Sequence, residues 1–345
     1  MSRWRPQRNW GARLHEIVVH GLRAVVLENE RLRVTLLADK GTDLVELNDK
    51  RRDLDYVWLA PNGVRAAPDL AGGAPDAVAA FLDTYPGGWQ EVLPNGGAPS
   101  RHRGAEWAQH ASVSTVPWDY RIVADSAEEV AVAFTVAVPR TPLRLTKTVR
   151  LAAGDTAVEF DEELVNEAPV TVEAMWGHHI TFGAPFLRPG CRVRLPDGVT
   201  VIPHETPIHP SGARRVAPGG PYPWPVVPAA DGGTTDLSVI GEPGGPSDIV
   251  YLAGASWYEV VDPQRRCGLR VHWDASVLPY LWLWQELGAT TDYPWWGRAY
   301  VVGLEPFSSY PTDGLARAVE NGTALRLAAG ERRALRLGAR IVEEA

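Results

Sequence analysis

The stretch Leu143-Arg144-Leu145-Thr146-Lys147-Thr148-Val149-Arg150-Leu151 decides the fold class, because apolar and polar residues alternate from end to end. A period of two belongs to a strand, whose successive side chains point to opposite faces; a helix would scatter these leucines around its axis. The alternation extends in both directions. Upstream it runs through Val130–Val136, Leu44–Leu47 and Leu32–Leu36, with a turn at Asn48-Asp49-Lys50. Downstream, after a turn at Gly154-Asp155, come Ala157–Phe160, Leu164-Val165, Ile249–Leu252, Trp257–Val261, Gly268–Trp273, Tyr280–Trp284 and Ala299–Leu304. A closing pair lies around Thr323–Leu327 and Arg333–Leu337.

Twelve or more strands punctuated by 33 Gly and 29 Pro predict an all-β chain, a large antiparallel β-sandwich rather than a parallel α/β sheet. Helical patterning is confined to Ala77–Leu82 and Leu315–Glu320. Helix is therefore expected in under about a fifth of the residues, against about a third in an ordinary globular chain. The Pro- and Gly-rich stretch from Pro203 to Pro246 lacks alternation and is too long for an ordinary connection, so it reads as a functional lid or an unstructured loop. No internal repeat and no boundary between two cores is visible, and residues 1–345 read as one domain.

The bulk numbers exclude several function classes. Of 345 residues, 45% are hydrophobic and 22% charged, and the net charge is −8 with scattered Lys and Arg, which argues against a nucleic-acid surface. The N-terminus carries no apolar leader core and no run of 18 apolar residues occurs, so a cytoplasmic protein without a membrane partner is expected. Cys191 and Cys267 are the only cysteines and lie in no CxxC pattern; a reducing compartment fits, and one bridge between them stays open. The sequence is compatible with a homodimer. Fourteen Trp are an excess that either stacks on sugars or fills the core.

Three segments place a titratable residue among aromatics or glycines near a strand end. The first is Gly87-Gly88-Trp89-Gln90-Glu91-Val92-Leu93-Pro94-Asn95-Gly96-Gly97, with His110 following. The second is Met175-Trp176-Gly177-His178-His179-Ile180-Thr181-Phe182-Gly183, and the third Gly303-Leu304-Glu305-Pro306-Phe307. Glu305 ends an apolar run, where burial raises a carboxyl pKa; it reads as a strand-end ion-pair partner or as a general base. His178 and His179 are adjacent, so on a strand only one of them faces a given pocket, as a structural residue or as a proton donor near neutral pH. The two cannot both chelate one ion from a regular strand, and no His-x-His, nucleophile elbow, Walker or dinucleotide loop occurs. No metal is expected, and Gly96-Gly97 read as a turn.

Taken in order, these segments resemble the galactose mutarotase/aldose 1-epimerase superfamily over roughly residues 20–340. His179-Ile180-Thr181-Phe182 is similar to the family's His-x-Tyr-Phe, with Thr181 in the tyrosine's place, and Gly303-Leu304-Glu305-Pro306 to the motif of the catalytic glutamate. His110, eight residues before Trp118, matches a substrate-binding histidine, with His102 as a competitor. Ser247-Asp248-Ile249-Val250-Tyr251-Leu252 resembles the segment of a substrate-binding aspartate, Asp248. Leu93-Pro94-Asn95 resembles Pro-Asn-Arg, but Gly96 stands where the family has its sugar-binding Arg, a role left to Arg101 or Arg103.

The resemblance implies a sugar mutarotase on a galactose mutarotase-like supersandwich. Glu305 is expected as base and His179 as acid in ring opening of a free aldose, with the roles exchanged on closure and no cofactor required. Substrate contacts are expected from His110, Asp248, Arg103, Trp89, Trp176 and Gln285. The alternatives are a non-catalytic carbohydrate-binding protein, and a glycosidase or lyase on the same fold. A glycosidase normally needs two carboxylates, and Glu305 is the one nominated.

Overall fold

The alternating strands pair as their apolar faces require. The computed structural model describes residues 11–70 and 76–343. The first ten residues, over part of which the absence of a leader core was read, lie outside the described residues. Strand accounts for 49% of the chain and helix for 5%, within the expected limit. A large antiparallel sheet runs in the order Arg13–Val19, Leu22–Glu28, Leu32–Leu37, Asp43–Asp49, Trp89–Val92, Gly177–Gly183, Tyr300–Phe307, Tyr280–Leu287, Asp248–Ala253, Thr200–Pro203 and Tyr222–Pro223. The short strand Leu54–Asp55 pairs with Asp43–Asp49.

A second antiparallel sheet packs against it, in the order Arg192–Arg194, Trp257–Asp262, Cys267–Trp273, Arg332–Glu343, Ala157–Asn166, Leu143–Ala152, Glu129–Ala137 and Asp119–Asp125. In the strand Leu143–Ala152 the alternation is literal: Leu143, Leu145, Val149 and Leu151 are buried and the residues between them partly exposed. They join Val34, Leu36, Ile180, Phe182 and Leu304 of the larger sheet in one core between the layers. Truncating a leucine at this depth costs about 2–5 kcal/mol. Lys147 sits on the same buried face, 3% exposed.

Several strands escape the alternation rule. Leu22–Glu28 is buried at nearly every position, so its two faces do not differ in polarity; Asp119–Asp125 is a largely exposed edge. Trp89–Val92 and Gly177–Gly183 are buried throughout. The stretch after Pro203 is neither an isolated lid nor structureless: it carries the short strands Tyr222–Pro223, Val226–Pro228 and Thr234–Asp236. Both cysteines are buried free thiols, so no bridge joins them. Among the described residues, no helix is long and apolar enough to cross a membrane.

Candidate active site

Strand pairing brings the candidate acid and base together. Gly177 pairs with Phe307 and Thr181 with Gly303, which sets His179 level with Glu305 on the neighbouring strand. Both side chains project from the face of the larger sheet that points away from the core, and His179 Nε2 lies 3.6 Å from Glu305 Oε1. Gly303 makes room for this carboxylate: a Cβ there would come within 2.4 Å of Glu305 Oε1. The residues border a cavity of about 370 Å³, walled by Phe81, Tyr85, Ile249, Trp282, Trp284 and Trp295, with Ile208 and Pro210 from the loop after Pro203. That volume lies at the lower end of small-molecule pockets, about 300–1,000 Å³.

Burial sets the charge states. It pushes the Glu305 carboxyl well above its ordinary range, and Glu305 Oε2 has no hydrogen-bond partner. It also drives the His179 imidazole down to about 3, and His110, which faces His179 as well as being buried, well below the ordinary histidine value. Burial therefore favours neutral imidazoles beside a protonated acid, since a lone buried charge is the costlier alternative.

Hydrogen bonding selects the tautomers. Thr181 Oγ1 donates to Gly88 O at 2.9 Å, Tyr85 OH donates to Thr181 Oγ1 at 3.3 Å, and Tyr85 OH lies 3.2 Å from His179 Nδ1. When the Tyr85 proton is directed to Thr181, the Tyr85 oxygen accepts from Nδ1–H, an arrangement that leaves Nε2 as an acceptor facing Glu305. His110 is fixed in the opposite sense: Gly97 N donates to its Nδ1 at 3.2 Å, so the neutral ring carries its proton on Nε2. Gly97 is more than a turn residue, with φ of 78° and Thr312 O at 1.9 Å from where a Cβ would be. The His110 ring stands at 87° to His179, 5.1 Å between centroids, and packs on Phe81 at 4.8 Å.

Of the residues expected in the site, Glu305, His179 and His110 line the cavity. The others are placed elsewhere. His102 and Arg103 both approach Glu173, at 3.3 and 3.1 Å, and Arg101 pairs with Glu106 at the surface. Alternation turns Asp248 away from the cavity that Ser247 and Ile249 border, and its Oδ2 accepts from Arg215 N and Val216 N. Gln285 likewise falls between the cavity-facing Trp284 and Glu286. Trp89 and Trp176 point between the sheets, where their Nε1 groups donate to His178 Nδ1 and Glu91 Oε1 at 3.0 and 2.7 Å. Tyr85, Phe81, Trp282, Trp284 and Trp295 were not singled out from the sequence. Tyr85 stands just before Pro86-Gly87-Gly88, and that proximity to the glycine pair was the available signal.

His178 faces the opposite way, into a buried charge cluster. Its Nε2 lies 3.3 Å from Glu162 Oε2 and 3.6 Å from Glu91 Oε1, and Lys147 Nζ lies 3.3 Å from Glu91 Oε2. Burial opposes charge on His178, but the Glu91 and Glu162 carboxylates outweigh it and raise the imidazole. Burial and the neighbouring Glu162 raise Glu91 to about 7. Among the described residues, Glu91, Glu162 and His178 are the set whose donor atoms are spaced to hold a cation, within 4.8 Å of one another. The Lys147 ammonium already supplies a positive charge there.

Comparison with known proteins follows this geometry. No curated protein matches the sequence. Among solved structures, a provisionally named aldose 1-epimerase from Klebsiella pneumoniae superposes with a TM-score of 0.74 at 16% identity, covering 97% of this chain and 88% of that one. A galactose mutarotase-like protein from Clostridium acetobutylicum gives 0.65 at 12% identity, covering 96% and 99%. Another from Lactobacillus casei gives 0.53 at 18% identity, covering 92% and 99%. At these identities the likeness establishes the fold, that of the galactose mutarotase-like β-sandwiches. The model of the family DUF4432, described as a domain of unknown function, matches residues 19–341, and the chain belongs to that family.

Proposed function

We propose that the chain is a sugar mutarotase, an isomerase that opens and recloses the hemiacetal ring of a free aldose. The observation that carries the reading is the buried pair itself, His179 Nε2 standing 3.6 Å from Glu305 Oε1, with burial favouring the neutral form of both groups. Ring opening needs one group to accept the C1 hydroxyl proton and another to donate to the ring oxygen. Burial favours the protonated form of Glu305, so the opening step is drawn with Glu305 as acid and His179 as base; the expectation from the sequence has the two roles the other way round, and they exchange on closure. The O1–H bond breaks towards Nε2 and C1=O1 forms. The C1–O5 bond breaks with its electron pair passing to O5, which takes the Glu305 proton.

The open aldehyde then lies beside a carboxylate and an imidazolium that stabilise each other. Rotation about C1–C2 presents the other carbonyl face, and the same two transfers run backwards to give the second anomer. His110 Nε2–H is oriented to donate to a sugar oxygen, and Trp282 or Trp284 offers an aromatic face to the ring. Each positioned acid or base supplies about 10²–10⁴ in rate. Saturation-transfer NMR of anomer exchange tests the reading; exchange no faster than in buffer for every sugar shown to bind would overturn it in favour of a binding protein.

A glycosidase fits less well. Glu286 also borders the cavity, but its Oε1 accepts from Ala289 N and Thr290 N and its Oε2 from Thr290 Oγ1. A carboxylate so engaged in holding a loop is poorly suited to act as the second catalytic group. Two buried free thiols accord with the companion proposal of a cytoplasmic location.

A further inference from the structure

Several hydrogen-bond donors of the cavity wall are already engaged. Trp282 Nε1 donates to Ser309 O at 2.9 Å and Trp284 Nε1 to the Ser247 hydroxyl at 3.3 Å. Tyr293 OH donates to Asp83 at 3.0 Å, and Thr290 Oγ1 to Glu286 at 2.6 Å. The groups left facing a ligand are Glu305, His179 Nε2, His110 Nε2 and the Ser247 O–H, with Gln109 and Thr312 as further polar side chains of the wall. Glu305 and His179 are taken up by the anomeric centre. The remaining hydroxyls of a sugar thus meet mainly Ile249, Ile208, Trp282 and the other aromatic rings.

Among the described residues bordering the cavity, none is Lys or Arg. Gly96 has no room for a side chain: a Cβ would come within 2.8 Å of the Phe307 ring, 3.2 Å of Met175 and 3.3 Å of Trp282. Phe307 and Trp282 stack there with centroids 3.9 Å apart and planes at 13°. An anionic substituent would lose its water beside the carboxyl groups Glu305 and Glu286, with no cationic side chain among the described lining residues to pair with it.

We infer that the site is built for an uncharged sugar poor in hydroxyls, a deoxyaldose, in preference to a fully hydroxylated aldose, a sugar phosphate or a uronate. This inference rests on the mutarotase reading of the Glu305–His179 pair for its placement of the anomeric carbon. A hydroxyl that is desolvated against carbon without a partner weakens recognition by roughly tenfold to a hundredfold.

The test uses the full-length protein and a panel of reducing sugars: glucose, galactose, the deoxyhexoses fucose and rhamnose, deoxyglucose, glucose phosphate and glucuronate. Anomer exchange is followed by saturation-transfer NMR, and binding separately by quenching of tryptophan fluorescence. At least one deoxyaldose is expected to show kcat/KM roughly tenfold to a hundredfold above the fully hydroxylated hexoses, with the phosphate and the uronate at the buffer rate. Equal or faster exchange of a hydroxylated or anionic sugar than of every deoxyaldose overturns the inference and leaves the mutarotase reading intact. No exchange with any sugar, but quenching at lower concentration by deoxyaldoses, overturns the mutarotase reading and sustains the ligand class. Neither exchange nor selective quenching overturns both.

Discussion

His178 and His179 are consecutive residues on one strand, and their imidazoles serve opposite faces of the same sheet: His178 lies 3.3 Å from Glu162 between the layers, His179 3.6 Å from Glu305 in the cavity. Their asparagine variants should therefore fail differently. His178→Asn strips a positive partner from two buried carboxylates and should cost about 3–5 kcal/mol of unfolding free energy. His179→Asn should leave stability largely unchanged and slow anomer exchange by about 10²–10⁴. Urea titration beside the exchange assay separates the two, and equal stability losses would contradict the assignment of faces.

Glu305→Gln keeps the size of the side chain but cannot supply the proton to the ring oxygen. Sugar binding should survive while exchange falls by about 10²–10⁴, or roughly 3–5 kcal/mol of barrier. The double variant with His179→Asn should lose far less than the sum, because the two residues act on one substrate as a unit. Additive losses would show that they do not.

The pair also imposes a pH signature on stability. In the unfolded chain Glu305 titrates near 4.5 and His179 near 6.5; in the folded chain the first is raised and the second lowered to about 3. Between 4.5 and 6.5 folding moves one proton onto Glu305 and one off His179, so the two slopes cancel. Above 6.5 and up to the raised pKa, the folded state alone keeps the Glu305 proton, and stability should fall with pH by up to about 1.4 kcal/mol per unit. Glu305→Gln removes this slope, so in urea titrations the variant should gain on the wild type as pH rises above 6.5, up to the raised pKa of Glu305. Parallel curves for the two proteins would refute the raised carboxyl.

Tyr85→Phe removes the acceptor that holds Nδ1–H. Exchange should fall by roughly tenfold to a hundredfold, with KM little changed, since a lost buried hydrogen bond is worth about 1–3 kcal/mol. The nitrogen shifts of the His179 ring should show the Nδ1–H tautomer in the wild type and a mixture in the variant. Thr181→Val, one link further along, should give the same signature in weaker form.

Gly97→Ala should damage the site through the backbone. The position needs positive φ and has no room for a Cβ against Thr312 O. The backbone conformation alone costs about 1 kcal/mol, and relief of the clash moves the Gly97 N–H away from His110. Sugar affinity should fall more steeply than melting temperature; unchanged affinity would argue against His110 as a donor to the ligand.

The sandwich was legible because Leu143, Leu145, Val149 and Leu151 carry the pleat of a half-buried strand in their spacing. Lys147 shows where that reading stops: alternation puts it on the apolar face, and only its contacts with Glu91 and the Trp118 ring, 5.2 Å from its Nζ to the centroid, explain why a cation stands there. For the site, motif order brought out Glu305, His179 and His110. It also nominated Asp248 and Trp176, whose orientation depends on which parity of each strand faces outward. Trp282 and Trp284 were missed for a related reason, since a tryptophan on a buried strand looks the same in sequence whether its ring meets the core or the cavity; Trp295 lies in a turn, where alternation carries no information.

The chain of hydroxyls behind His179 ends on the Gly88 carbonyl, which has no proton to give and no path onward. Nδ1 therefore has no relay to solvent through these hydroxyls, and a proton captured at Nε2 finds only the bound ligand and Glu305, 3.6 Å away, within reach. On the mutarotase reading such a site would work as a closed circuit: each turnover would return both groups to their starting protonation without drawing on buffer.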